Sequence, residues 1–321
     1  MSTDFSEFFN ALSDDDFEEI PVDIEVFTQS EDYLGMPHLS EYQYQLIRAS
    51  SQIYKQSTLY NLYDAQRAEK RWKETCNEII ACLGKGSGKD FTSTIACAYI
   101  VYLLLCLRNP AKYFGKPDGD SIDILNIAIN AAQANNVFFK GFKSRIEGSP
   151  WFEGKFTTKA GHIAFDKNVN VYSGHSEREA WEGYNLLYCV LDEISGFALD
   201  STSGNEQAKT ADAVYKMYRA SVDSRFPAEG KLVLLSFPRF KNDFISQRYE
   251  AVVAEKEVVE RTHTFKLDPE LPDEIEENKF SIVWEEDHIL SYHVPRVYAL
   301  KRPTWDVNPT RKITDFTTDF F

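Results

Sequence analysis

The 321-residue sequence predicts an α/β fold in which a mostly parallel central sheet is flanked by helices. Three observations lead to this prediction. A short apolar run passes through a glycine-rich loop into a long apolar helix, a second apolar run ends in two adjacent carboxylates, and further strand-like runs alternate with helical spacing. Continuous apolar strands of this kind are typical of parallel sheets that are covered on both faces.

The composition indicates a globular protein, with 43% hydrophobic and 14% aromatic residues. A net charge of −15 argues against a protein that coats nucleic acid, but it allows a small channel lined by positive charge. The five cysteines occur singly among apolar neighbours, which is typical of reduced core cysteines. We expect no signal peptide, because no apolar stretch follows a basic region at the N-terminus. The spacing of the cysteines and histidines predicts no structural metal site. We expect no membrane partner, because the apolar run at 95–107 is too short to span a bilayer comfortably.

The first part of the chain is predicted to be an acidic N-terminal extension, residues 1–35, which either docks as a short helix or forms a mobile tail. The main domain is then expected at 36–265. Its first helix begins after Ser40, a good N-cap, and carries Tyr42 and Gln43. Several nucleotide motors place a glutamine upstream of the phosphate loop to contact adenine. An ordinary amphipathic helix explains the same spacing.

The glycine-rich loop is the strongest motif. It joins a strand at 79–82 to a helix that begins near Phe91, and glycines let successive backbone N–H groups turn inward toward phosphate oxygens at a helix N-terminus. Lys89 is placed to reach the β- and γ-phosphates. The predicted nucleotide-binding loop consists of Gly84, Lys85, Gly86, Ser87, Gly88, Lys89 and Asp90.

Two positions of the loop depart from the common G-x-x-x-x-G-K-[ST] pattern. Leu83 stands where the first glycine is expected, and Asp90 replaces the Ser or Thr that contacts Mg²⁺. A carboxylate is a hard oxygen ligand that suits Mg²⁺, so Asp90 is a candidate metal ligand. A plain glycine-rich turn before a helix is the alternative interpretation.

The second apolar run, 186–191, ends in Asp192 and Glu193. A buried parallel strand of this kind opens at its carboxyl end on an active site. Asp192 is predicted to hold the water shell of Mg²⁺, and Glu193 to orient or deprotonate the attacking water. With the loop about a hundred residues earlier, the pair predicts an α/β P-loop NTPase of the RecA/ASCE-like type, with ATP and Mg²⁺ as cofactors.

The other elements follow from the same patterns. Strands are expected at 122–129 and 231–236, a hairpin at 162–165 and 169–172, and helices at 131–142, 208–223 and 243–257, with a polar loop at 199–207. Ser236 ends its strand beside the other strand ends, where its hydroxyl would sense the γ-phosphate, although a plain strand exit explains it equally. Residues 266–321 are predicted to form a C-terminal extension.

The ordered set of motifs resembles the ATPase domain of the large terminase subunit of tailed bacteriophages. The set comprises Tyr42-Gln43, Gly84 to Asp90, Leu191-Asp192-Glu193 and Ser236-Phe237-Pro238, and Asn308-Pro309 is similar to the family's segment between its ATPase and nuclease domains. The resemblance implies a motor that moves double-stranded DNA into a procapsid by ATP hydrolysis. It also implies a portal protein and a small terminase subunit as partners. The location would be the host cytoplasm, with transient docking on the procapsid, and the assembly a homo-oligomeric ring, a pentamer, of chains that are monomers in isolation.

By position, the resemblance assigns adenine contact to Gln43, phosphate contact to Lys89 and metal binding to Asp90 and Asp192. Glu193 would be the catalytic base, and Ser236 would couple hydrolysis to movement. Many members carry an arginine inside the loop where this chain has Lys85, which lacks the planar fork of arginine. An arginine from a neighbouring subunit would then matter more, and Arg178 and Arg145 are the candidates.

The chain is shorter than most family members, which continue into a nuclease domain. We therefore expect an isolated ATPase domain without nuclease activity of its own. The alternatives are the first motor domain of a helicase and a scaffold that binds nucleotide without turnover. For contact with DNA, the candidates are the basic clusters from Lys140 to Arg145 and from Lys216 to Arg225.

Overall fold

The computed structural model describes residues 16–55, 76–128, 138–159, 161–175, 181, 183–197, 210–265, 281–285, 288–294, 297–308 and 310–315. Arg178, Pro309, the polar loop at 199–207 and the beginning of the helix predicted at 131 lie outside these residues.

Ten strands form one sheet, in the order β3-β4-β5-β2-β6-β7-β1-β10-β9-β8. The six neighbouring strands β5, β2, β6, β7, β1 and β10 pair in parallel, and the strands outside them on both edges pair antiparallel. The predicted mostly parallel sheet is therefore confirmed. The strands are β1 Glu78–Leu83, β2 Ile122–Ala128, β3 Phe156–Lys159, β4 His162–Phe165, β5 Val169–His175, β6 Leu186–Asp192, β7 Lys231–Ser236, β8 Ser281–Glu285, β9 His288–Val294 and β10 Val297–Arg302.

Helices cover both faces of this sheet. Within the described residues they are α1 Ile24–Gln29, α2 Glu41–Ser50, α3 Lys89–Cys106, α4 Pro110–Tyr113, α5 Lys140–Glu147, α6 Ala211–Arg225, α7 Phe244–Phe265 and α8 Thr304–Val307. The alternation of side chains along the strands divides the core into two clusters. Ile79, Ala81 and Leu83 of β1 join the cluster that contains α3, whereas Ile80 and Cys82 join the cluster with α6 and α7.

Helix α3 is apolar on all sides because it is enclosed on all sides. Sixteen of its 18 residues are buried, and it packs against α1, α2 and α5 as well as the sheet. It is the one described helix long and apolar enough to cross a membrane by length and composition. Its place between the sheet and an outer helical layer makes it a core helix, as the sequence predicts.

The N-terminal segment docks on the domain instead of standing apart. Phe17, Ile24 and Phe27 are buried, and Phe27 packs on Tyr99 and Tyr102 of α3 with ring centres 5.1 and 4.9 Å apart. The sequence left open whether residues 1–35 dock as a short helix or form a mobile tail. In the described part of this segment, α1 is a short docked helix. The side chains of the first 15 residues lie outside the described part.

Several boundaries differ from the sequence predictions, and two of the differences concern residues singled out above. The helix that carries Lys140, Lys143 and Arg145 continues to Glu147 instead of ending at Phe142, with Gly148 as its C-cap residue. The segment predicted as an extension from residue 266 contributes β8, β9 and β10 to the same sheet, with β10 directly beside β1. Nothing in the local pattern of 297–302 distinguishes a central strand from an edge strand.

Candidate active site

The carboxyl ends of β1, β7 and β6 bring the predicted site residues to one edge of the sheet. The three strands are parallel neighbours, with β7 between the other two. Parallel strands end at the same edge, so the glycine-rich loop after β1, the carboxylates of Asp192 and Glu193 and the hydroxyl of Ser236 lie there together. The sequence predicted this meeting without predicting the strand order.

The loop has the tight backbone that its glycines predict. Gly86 and Gly88 have φ angles of 84° and 83°, in the left-handed region that glycine adopts most readily. The Ser87 amide N donates to Gly84 O at 3.1 Å, which closes the turn, and Gly88 is the N-cap of α3. The Ser87 side chain is fully buried, and its hydroxyl has no hydrogen-bond partner among the described residues. A buried hydroxyl of this kind suits a phosphate oxygen as its acceptor.

Lys89 lies at the centre of the site. Its Nζ is 3.0 Å from Asp90 Oδ1, 3.2 Å from Asp192 Oδ1 and 2.7 Å from Glu193 Oε1. Burial would lower the pKa of Lys89, but the three carboxylates outweigh burial and raise it above its ordinary value. The lysine is therefore a permanent cation, held where anions converge.

The two carboxylates that follow β6 have different surroundings. Burial raises the pKa of Asp192 above its usual range, and the charges of Asp90 and Glu193 act in the same direction while Lys89 opposes them. Glu193 has a left-handed backbone with φ 55°, which costs a non-glycine residue free energy and is characteristic of functional sites. Its Oε2 atom is buried and accepts no hydrogen bond from the described residues. Arg239 Nη2 lies 3.5 Å from that oxygen.

The donor set fits Mg²⁺ bound together with phosphates. The Asp90 side chain is 40% exposed and that of Asp192 is 6% exposed, and both lie within ion-pair distance of Lys89 Nζ. Among the described residues, no group of three His, Cys, Asp or Glu side chains is arranged to hold a metal by itself. Mg²⁺ in nucleotide sites is commonly held by one or two carboxylates, with substrate phosphates and water completing the shell. Asp90 and Asp192 remain the predicted ligands.

Tyr42 and Gln43 lie in the first turn of α2, beside the loop. Ser40 caps this helix as predicted, and Gln43 closes a capping box in which its Oε1 accepts from Ser40 N at 3.0 Å. Gln43 is buried, and its Nε2 lies 3.4 Å from where a Cβ on Gly88 would be. The amide nitrogen of Gln43 thus lies beside the loop, while its amide oxygen accepts the hydrogen bond of the capping box. Its contact with adenine stays a prediction.

Ser236 connects two strand ends. Its Oγ accepts from Ser195 N at 3.4 Å and donates to Phe237 O at 3.1 Å. Ser195 Oγ in turn accepts from Ile245 N, at the beginning of α7, at 3.2 Å. A continuous set of hydrogen bonds therefore links the residues after the Asp-Glu pair to β7 and α7. Sensing of the γ-phosphate by Ser236 remains a prediction.

The remaining predicted cations are placed as follows. Lys85 is exposed in the loop. Arg145 lies over the ring of Phe91, with its Cζ 4.5 Å from the ring centre, and its Nε donates to Thr94 Oγ1 at 2.7 Å. It therefore packs against the beginning of α3 in its own chain. Arg178 lies outside the described residues.

The DNA-contact clusters are partly occupied by ion pairs along their own helices. Lys143 pairs with Glu147 at 3.4 Å, and Lys216 pairs with Asp212 at 2.7 Å. Arg219 pairs with Asp223 and also donates to Asn77 O. Lys140 and Arg225 are exposed at the ends of their clusters.

Sequence reasoning missed several residues that touch the site. Arg239 follows the end of β7 by three residues. A cation so close to the end of a strand that opens on the site was the signal that could have identified it. Thr304 Oγ1 donates to Lys85 O at 2.9 Å, and Asn308 Nδ2 donates to Gly86 O at 2.8 Å. Asn308 was singled out only for its similarity to a segment between domains.

Comparison with known proteins supports the fold assignment. A family model described as uncharacterized protein MJ0330, N-terminal P-loop domain, matches residues 3–321. The predicted P-loop fold class is thereby confirmed. The chain is 28% identical over 202 residues to uncharacterized protein MJ0330 of Methanocaldococcus jannaschii, an alignment that covers 58% of this chain and 34% of that protein. The chain thus spans about a third of the length of the curated relative it matches.

Similar solved structures include two phage large terminases. The large terminase of bacteriophage HK97 has a TM-score of 0.49 and 15% identity, covering 73% of this chain and 41% of that chain. The large terminase ATPase domain of Thermus phage P74-26 has a TM-score of 0.43 and 14% identity, covering 77% of this chain and 82% of that chain. They belong to the class of protein that the order of motifs resembles. Values of this size say nothing about what this chain binds or hydrolyses.

Proposed function

The chain belongs to the family of the N-terminal P-loop domain of uncharacterized protein MJ0330, and from this premise we propose that it binds ATP in the glycine-rich loop and hydrolyses it. The observation that carries the proposal is the contact of Lys89 Nζ with Asp90, Asp192 and Glu193 at the end of the loop. Lys89 is the cation, Asp90 and Asp192 are the hard oxygen ligands, and Glu193 is the base. Phosphoryl transfer requires these components, and the three carboxylates all lie within 3.2 Å of Lys89 Nζ.

The loop and Lys89 bind the triphosphate in this proposal. The amides of Gly86 and Gly88 and the buried hydroxyl of Ser87 donate to phosphate oxygens at the N-terminus of α3. The triphosphate competes with the carboxylates for Lys89, because phosphate oxygens are anionic partners of the same kind. Asp90 and Asp192 would hold Mg²⁺, which neutralises charge on the phosphates.

Glu193 is the proposed base. Once Lys89 turns to the phosphates, Glu193 loses its closest cation and its carboxylate is free to accept a proton from the attacking water. Arg239, 3.5 Å from Glu193 Oε2, keeps that carboxylate oriented. Ser236 links the strand end beyond Glu193 to α7, which supports its proposed role in transmitting hydrolysis to movement.

The finer proposal is that the chain is the motor domain of a DNA-packaging terminase that translocates double-stranded DNA into a procapsid. The order of the motifs from Tyr42-Gln43 to Ser236-Phe237-Pro238 supports it. The proposed partners are a portal protein, a small terminase subunit and further copies of the chain in a pentameric ring. In this proposal the motor works in the host cytoplasm, docked transiently on the procapsid.

The experiment that tests the proposal is steady-state ATP hydrolysis by the purified chain beside a Glu193→Gln variant. The amide keeps the size of the side chain and cannot accept the proton, so turnover should fall by at least about a hundredfold. ATP binding should persist, since Lys89 and the loop are unchanged. Glu153→Gln makes the same substitution at an exposed residue beside the distant edge strand β3 and should leave turnover unchanged.

The outcomes separate the possibilities. Turnover that is equal in the two Glu variants would overturn the assignment of Glu193. ATP binding without turnover in the wild type would favour a nucleotide-binding scaffold or a site completed by a neighbouring subunit. Measuring turnover at rising chain concentration distinguishes these, because only a site completed by a neighbour becomes active on assembly. A wild type that neither binds nor hydrolyses ATP would overturn the proposal as a whole.

A further inference from the structure

The end of β10 lies directly beside the phosphate loop. Strands β1 and β10 are parallel, and Leu83 pairs in register with Arg302. Gly84 N donates to Arg302 O at 3.1 Å, so the backbone of Arg302 is hydrogen-bonded to the first glycine of the loop. Parallel strands open at the same edge, and Arg302 therefore enters the site from the side opposite β7 and the catalytic carboxylates.

The guanidinium of Arg302 lies on an aromatic ring. Its Cζ is 5.2 Å from the centre of the Tyr42 ring, in the first turn of α2. The Nε atom of Arg302 is buried and has no acceptor among the described residues. No carboxylate in the described part of the chain is within ion-pair distance of this guanidinium. A half-buried planar cation with an unmatched N–H group suits a flat, electron-rich ligand that carries acceptor atoms.

Hydrogen bonds hold the beginning of α2 and the segment after β10 in place. Ser40 Oγ, at the cap of α2, donates to Val307 O at 2.7 Å, and Asn308 Nδ2 donates to Gly86 O. The beginning of α2 and the segment that follows β10 are thus fastened to each other and to the loop. Tyr42 and Arg302 form a fixed pair on one side of the phosphate-binding backbone.

We propose that Arg302 and Tyr42 form the surface on which the purine base of the nucleotide packs. The inference rests on the proposed nucleotide binding and adds the part of the site that recognises the base. A base is joined to its phosphates through a single ribose, so it must lie beside the loop. Arg302 and Tyr42 offer a stacking surface there, on which the flat face of a purine can pack. Arg302 is then a binding residue contributed by the segment that sequence reasoning treated as an extension.

A second arginine that lies over a tyrosine supplies the control. Arg248 Cζ is 4.7 Å from the centre of the Tyr215 ring, and its Nη2 pairs with Glu78 Oε1 at 2.7 Å, at the end of β1 away from the loop. The variants Arg302→Lys and Arg248→Lys both keep the positive charge and lose the planar group. Tyr42→Leu removes the ring from an independent element, so the test does not depend on the folding of one variant.

The experiment measures equilibrium binding of ATP, CTP and inorganic tripolyphosphate to the wild type and the three variants, with thermal melting as a check on folding. Stacking of a side chain on a base contributes measurably to binding affinity. Arg302→Lys and Tyr42→Leu should therefore each weaken ATP binding about tenfold. Tripolyphosphate has no base, and its affinity should stay unchanged. The preference for ATP over CTP should narrow, while Arg248→Lys should behave like the wild type.

Other results would overturn the inference. Equal losses for ATP and tripolyphosphate in Arg302→Lys would make Arg302 a phosphate or structural residue. Wild-type ATP affinity in both Arg302→Lys and Tyr42→Leu, or a selective loss of ATP binding in Arg248→Lys alone, would place the base elsewhere while leaving the phosphate site intact. Failure of the wild type to bind either ATP or tripolyphosphate would instead overturn the proposed function.

Discussion

At the scale of single residues, Gly84 shows how the loop depends on contacts with a distant segment. A Cβ on Gly84 would lie 2.4 Å from Thr304 Oγ1 and 2.7 Å from Thr304 N. No side chain fits at such distances unless the backbone moves. The glycine is therefore required by the packing of α8 against the loop, in addition to any contact with phosphate. The common motif places its first glycine at the position of Leu83, which here is the buried last residue of β1.

We predict that Gly84→Ala lowers the free energy of unfolding by about 1–3 kcal/mol, which is typical of overpacking in a closely packed region. It should also weaken ATP binding, because the loop must shift to admit the methyl group. Denaturant unfolding and equilibrium binding measure the two effects.

Two comparisons make this prediction specific. Gly183→Ala adds the same methyl group where no atom of the described residues lies within 4 Å of the new atom, and it should leave stability almost unchanged. Combining Gly84→Ala with Thr304→Ala should restore only part of the loss, since the backbone N of residue 304 stays too close. Equal stability of the two glycine variants would contradict this account of Gly84.

At the scale of elements, α3 depends on a lysine from a different part of the chain. The helix has no basic residue in its last turn, and its final carbonyls need donors. Lys167 supplies them from the turn before β5. Its Nζ donates to Leu105 O at 2.7 Å and to Leu107 O at 2.8 Å, and it pairs with Glu18 Oε2 at 2.6 Å. One ammonium thus fixes the helix end and the N-terminal segment together.

Lys167→Met keeps the length of the side chain and removes the donors. We expect the free energy of unfolding to fall by about 1–3 kcal/mol, because partly buried carbonyls lose a charged partner. Thermal and denaturant unfolding at neutral pH measure this loss. Lys140→Met, at an exposed position, is the matched control and should change little. A Lys167→Met variant as stable as the control would show that water satisfies these carbonyls.

The same site gives a pH dependence with a definite sign. The hydrogen bond and charge of Lys167 lower the pKa of Glu18 below its ordinary value. A carboxylate with a lowered folded-state pKa stabilises the fold above its unfolded pKa, and this contribution is lost as the pH falls through the folded pKa. The difference in stability between wild type and Lys167→Met should therefore narrow in acid. The part that arises from the carbonyls should persist.

At the scale of the whole molecule, the charge distribution shapes the expected contact with DNA. The chain has a net charge of −15, so any contact with a phosphate backbone must be local. Lys143, Lys216 and Arg219 already pair with carboxylates on their own helices, which reduces the number of cations available in the two clusters. Exposed Lys140 and Arg225 remain the accessible members.

If the chain is a DNA translocase, its affinity for duplex DNA should fall steeply with salt. A contact with about four phosphates corresponds to a loss of about a hundredfold between 50 and 200 mM salt. Fluorescence anisotropy on a labelled duplex measures this slope for the wild type, Lys140→Ala and Arg225→Ala. The variant in the true contact cluster should have the shallower slope, and the other should match the wild type.

A salt-independent affinity would contradict contact with the phosphate backbone. A strand-separation assay on the same duplex then distinguishes the two motor classes. A packaging motor moves duplex DNA without unwinding it, whereas separated strands would favour the helicase alternative.

Much of the fold was determined locally by the sequence. The glycines of the loop, the apolar runs of β1, β6 and β7 and the cap at Ser40 are each set by backbone preferences and side-chain periodicity within a few residues. Strand β7 was predicted with the bounds that the structure has. The meeting of the loop with Asp192 and Glu193 also followed, because parallel strands open at one edge.

Only the tertiary structure decided which strands are neighbours. The placement of β7 between β1 and β6, and of β10 beside β1, depends on pairing between segments up to about two hundred residues apart, which no local pattern encodes. For the same reason the sequence did not predict the contact of Arg239 with Glu193, of Thr304 with the loop or of Arg302 with Tyr42. These side chains take on a role in the site only once the sheet brings distant strand ends together.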